Sequence, residues 1–160
     1  MYEVEGGDWA YPFEDAPSPA MPPRPVVIAG DFDLFLTYQV VPGTGLALIE
    51  FEQPLAHYFG SPNDEGLGGH PLRARGLDYY GAFEVHNSSW IVALERMDRA
   101  HPRHDPRRFH GLRHFIFTFQ DETFECVARA VRILARTSNS AENARAIFQM
   151  MIARIRRPLD

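Results

Sequence analysis

The chain has 160 residues, a net charge of −5, 45% hydrophobic and 23% charged residues, which is the size and composition of one globular domain and excludes a chain disordered throughout. All 16 basic residues are arginine, so reactions that need a lysine amine are excluded, Schiff-base chemistry and the phosphate-binding P-loop among them. The single cysteine, Cys126, excludes an internal disulfide, an iron–sulfur cluster and any CxxC zinc site.

The first 25 residues read as a Pro-rich acidic arm, and residues 26–157 as a single domain. Six of the 13 prolines fall in the arm, which favours extended chain. Within residues 1–15 Glu3, Glu5, Asp8, Glu14 and Asp15 stand with no arginine, so residues 16–160 are neutral. The acidic opening lacks the apolar segment of a secretory signal, and no apolar run is long enough to span a bilayer; a cytoplasmic protein is expected. Trp9, Tyr11 and Phe13 alternate through the arm, as a strip packed on the domain or on a second copy in a homodimer would.

Val26–Ala29, Asp31–Val41 and Leu46–Phe51 carry strand patterns, the last two separated by the turn sequence Pro42-Gly43-Thr44-Gly45, and together predict a β-meander. Gly60–Gly76 holds five glycines and two prolines and reads as a long loop of the kind that carries function. A further strand is expected within Tyr79–His86. Trp90, Ile91, Leu94 and Met97 then recur at helical spacing, with Asn87 or Ser88 as N-cap, a Glu95–Arg99 pair, and Pro102 ending the helix. Trp90 reads as core packing.

Leu112–Phe119 predicts a strand with Phe115, Phe117 and Phe119 on one face and His114, Ile116 and Thr118 on the other. Residues 123–135 fit either a returning strand or a helical stripe. The hairpin is favoured, with Asp121-Glu122 as its turn and Phe119 opposite Phe124, Phe117 opposite Cys126 and Phe115 opposite Ala128. Cys126 then sits among phenylalanines, inert. A closing helix is expected at about 140–156. The predicted fold is therefore α+β: one antiparallel sheet of five or six strands, with helices at about 88–101 and 140–156 on one face.

Three groups of residues carry chemical potential. His101, His104, Asp105 and His110 offer imidazole and carboxylate ligands that suit a divalent metal, although three neighbouring arginines oppose a dication. Arg103, Arg107, Arg108 and Arg113 offer bidentate contacts to an anion. Asp64 and Glu65 lie near His70 in the glycine-rich loop, as weak candidates for general acid–base work. The neutral body argues against nucleic acid. These patterns predict a non-catalytic binding protein that recognises a protein partner or an acidic ligand through the 60–76 loop and the 101–114 segment. The alternative is a small metal-dependent or acid–base enzyme built on His70 and the histidines of 101–114.

Overall fold

The computed structural model describes residues 2–41, 45–137, 145, 148–149 and 151–153. The expected α+β architecture with one sheet does not form: among the described residues nine strands make two antiparallel sheets. The strands are β1 (Trp9–Pro12), β2 (Val26–Ala29), β3 (Leu34–Val40), β4 (Gly45–Glu52), β5 (Ala56–Gly60), β6 (Ala82–His86), β7 (Arg113–Thr118), β8 (Thr123–Ala128) and β9 (Ala130–Thr137). One sheet runs β1-β6-β7-β8-β5 and the other β2-β3-β4-β9. The α-helix α1 (Ser89–Asp98) stands between β6 and β7. The helix expected at about 140–156 lies largely outside the described residues, of which 145, 148–149 and 151–153 are helical.

The predicted meander forms as β2, β3 and β4. The predicted sheet was too small because three strands lack a clean alternating pattern. β1 lies inside the Pro-rich arm and pairs with β6 at a sheet edge, where Pro12 costs no ladder bond. β5 is the other edge of the same sheet. β9 takes up the apolar run that also fits a helical stripe, and completes the second sheet against β4. The arm thus folds back on its own domain, and Phe13 packs edge-on against Phe115.

The hairpin of β7 and β8 forms with its turn one residue earlier than expected, at Gln120-Asp121. Phe119 donates its backbone N–H to the Glu122 carbonyl at 2.9 Å, so Phe117 pairs with Phe124, Phe115 with Cys126 and Arg113 with Ala128. The register differs from the expected one by two residues. Because side chains alternate with a period of two, a shift of two leaves every residue on its expected face. Phe115, Phe117, Phe119, Phe124 and Cys126 are all buried, and they pack against Leu36, Tyr38, Ile49 and Phe51 of the other sheet.

The opposite face of the five-stranded sheet is covered as well. Leu67 and Leu72 from the glycine-rich loop, and Leu77 just after it, join Ala10, Phe83, Val85 and Ile116 in a second apolar cluster. That loop approaches β1 so closely that a Cβ on Gly76 would meet the Ala10 carbonyl oxygen at 2.2 Å, and its φ of +90° also favours glycine.

The N-terminus of α1 is capped twice. The Ser88 hydroxyl accepts the Ile91 N–H at 3.3 Å. The buried Asp8 carboxylate of the arm accepts the Ser89 N–H and hydroxyl, each at 2.6 Å. A carboxylate at this end also complements the helix dipole. Replacing Asp8 by Ala leaves a buried N–H and hydroxyl without their partner, and is expected to lower unfolding free energy by about 1–3 kcal/mol. Chemical denaturation checks this, and a loss below 0.5 kcal/mol, roughly the least expected of a cap, would show that the arm does not hold the helix.

Candidate functional site

Beneath α1, the face of the sheet that carries His114 also carries Glu125. His114 lies opposite Val127 in the β7–β8 ladder, which makes Glu125 its diagonal neighbour on the same face. His114 donates Nε2–H to Glu125 Oε2 at 3.1 Å. His70 reaches in from the glycine-rich loop and places Nε2 at 3.2 Å from Glu125 Oε1. Tyr2 comes from the arm and donates its phenol to Glu125 Oε2 at 3.1 Å. Glu125, His70 and His114 are all buried, at 3%, 4% and 0% exposure.

The remaining ring nitrogens settle how the protons are arranged. His70 Nδ1 accepts the Leu72 backbone N–H at 3.2 Å, so its proton sits on Nε2, pointing at the carboxylate. His114 Nδ1 faces the Ser88 hydroxyl at 2.9 Å. That hydroxyl also accepts from Ile91, and its second lone pair and its proton both remain for the imidazole. Burial alone would push the Glu125 carboxyl up. Hydrogen bonds from His114 and His70, with the positive charge those rings carry when protonated, overcome it and hold the carboxyl down at about 2. Burial and the adjacent Glu125 push the Tyr2 phenol far above its ordinary range.

Ser88, His114 and Glu125 are connected in the order of nucleophile, base and orienting acid. The chemistry of that order requires a serine that substrate can reach. Ser88 is 5% exposed, its oxygen serves as the helix cap, and it does not line the neighbouring cavity. The chain of bonds is a structural network.

Next to the network lies a cavity of about 620 Å3 between α1 and β5, lined by Tyr2, His57, Tyr58, Trp90, Ala93, Leu94 and Met97, with the buried Glu125 at its inner wall. It exists because α1 buries little of its apolar stripe. Trp90, Ile91 and Leu94 are only partly buried, and Met97 is 72% exposed. Trp90 is therefore a cavity wall and not core. Its ring stacks on Tyr2 at 5.4 Å between centroids and meets His114 edge-on at 5.0 Å.

Of the residues singled out in the sequence, His70 and His114 meet at one carboxylate, and the others do not join them. The metal candidates His101, His104, Asp105 and His110 are used elsewhere. His104 sits between Asp98 at 2.9 Å and Glu95 at 3.1 Å, Asp105 caps a 3-10 turn and pairs with Arg107, His101 Nδ1 accepts the Arg103 N–H, and His110 is exposed, its carbonyl bound by Arg129. Among the described residues no three His, Cys, Asp or Glu groups are placed to hold a metal ion. Of the four arginines, Arg113 is bidentate to Glu84 at 2.7 and 2.5 Å and Arg107 is paired with Asp105, so half the expected anion surface is already neutralised. Asp64 accepts the Tyr80 phenol at 2.5 Å, Glu65 is exposed, and neither reaches His70 among the described residues. Burial among the phenylalanines pushes the Cys126 thiol up, which leaves it inert as expected.

Sequence reading missed Glu125 and Tyr2. Glu125 was legible as the one carboxylate in Thr123–Ala128, on the same face as His114, but a polar residue opposite a phenylalanine face reads as solvent-exposed. Among the described residues, no helix is long and apolar enough to cross a membrane. Comparison with protein-family models, with curated proteins and with solved structures finds no match to the chain.

Proposed function

We propose that this protein is a non-catalytic binding module, and that its ligand site is the cavity between α1 and β5. The observation that supports this reading is an apolar helix stripe held off the sheet, over a volume typical of small-molecule sites, with one buried charged group at its inner wall. An acidic ligand, expected from the arginines, suits this site poorly because the group it would meet is Glu125. The ligand is a small molecule, or the side chain of a partner, with an apolar body.

The test follows cavity resonances in NMR spectra on addition of 2-phenylethylamine, 2-phenylethanol or phenylacetate. The expected result is that at least one probe shifts Trp90, Ala93 and Leu94, and that Ala93→Trp, which fills the cavity from the helix side, removes the response while the chain stays folded. No response to any probe would overturn the reading, as would a response that survives in the filled variant.

A further inference from the structure

Resting on that binding reading, we infer that the ligand is a protonated amine on an apolar, ring-sized body, with its ammonium group on Glu125 and its body against Trp90, Tyr58 and Leu94. The argument begins with charge. Glu125 is a buried carboxylate whose partners among the described residues are His70, His114 and Tyr2, with no arginine beside it. His70 gives the carboxylate one N–H from Nε2 while its Nδ1 accepts from Leu72. His114 gives it a second N–H from Nε2, with Nδ1 turned to the Ser88 hydroxyl. The carboxylate is therefore held by rings and a phenol, without a permanently charged partner among the described residues, and a buried anion in that condition attracts a cation.

Geometry makes the same selection. A carboxylate offers about four acceptor positions, and His70, His114 and Tyr2 occupy three. Glu125 also lines the cavity, so its remaining position is available from the ligand side. Among the described residues a second buried carboxylate, Asp8, acts on the Tyr2 phenol in the same direction as Glu125, so the field of the two carboxylates at Tyr2 is negative. An anionic ligand meets that field unfavourably, and a neutral one gains nothing from it. A cation gains both the charge-assisted bond and the electron-rich rings of the walls.

The three probes named above separate this inference from the one beneath it. At pH 7, 2-phenylethylamine is expected to bind at least about ten-fold more tightly than 2-phenylethanol, and phenylacetate more weakly than either. Glu125→Gln is expected to erase the preference for the amine while 2-phenylethanol still shifts Trp90 and Leu94. Equal affinity of amine and alcohol in the native protein would overturn the amine assignment and leave the cavity as a ligand site. A response to none of the three would overturn both. Because the comparison among probes uses the unaltered chain, the result stands even where the glutamine variant folds poorly.

Discussion

Glu125→Gln is expected to destabilise the protein by about 3 kcal/mol at neutral pH. Glutamine keeps one acceptor oxygen but turns an N–H toward His70 or His114, each of which already points an N–H at that position. One buried donor is then left without a partner, and the charge that strengthened three hydrogen bonds is gone. The pH dependence follows from the same group. The carboxyl sits at about 2 in the folded chain against an ordinary 4.5, so the folded state holds the ionised form more strongly than the unfolded state does. Its stabilisation is fully present above about pH 4.5, and is lost as pH falls toward 2. Denaturant melts at steps between pH 7 and 2 check this. The native protein should lose about 3 kcal/mol more than the variant across that interval, since the remaining carboxylates titrate in both. Parallel curves would show that the network does not hold Glu125 ionised.

Phe51→Ala is the second large effect. Phe51 belongs to β4 of the four-stranded sheet, and its ring lies 5.1 Å from Phe124, 6.0 Å from Phe115 and 6.0 Å from Phe117, all in the facing sheet. It is 1% exposed. Removing it opens a void at the contact between sheets, where both backbones are fixed by their ladders and collapse poorly. The expected cost is about 3–5 kcal/mol, or roughly a 10 °C fall in Tm for a domain of this size. A fall of only a degree or two would mean that the sheets close up over the gap.

Legibility in the sequence followed the length and regularity of each local signal. The β2–β4 meander, the Ser88 cap, the Glu95–Arg99 pair and the phenylalanine face of β7 each rest on residues close in sequence, and each forms. The second sheet was not legible because its last strand, Ala130–Thr137, spaces its apolar residues as a helix would, and only the partner β4 decides between them. The arm's strand was hidden by its prolines, which are tolerated because β1 is an edge. The site was half legible. His70 and His114 were noted for their chemistry, but their meeting point is a glutamate more than 50 residues from one of them and a tyrosine 123 residues from that glutamate. Such distances are bridged by the sheet order and by the folding back of the arm, neither of which has a local signature.

β8 and β9 follow one another with only Arg129 between them, yet they belong to different sheets. Arg129 marks the crossing. Its guanidinium binds the carbonyls of His110 and Arg108, and its backbone N–H is donated to Glu52 at 2.9 Å. The two layers are thus stitched by a continuous thread of backbone as well as pressed together by their side chains. Tension or disorder that enters one layer along this thread arrives in the other, so neither layer is an autonomous folding unit. Most of the pairings that close the thread join distant parts of the chain, which places this protein with slow folders that gain their stability late and all at once.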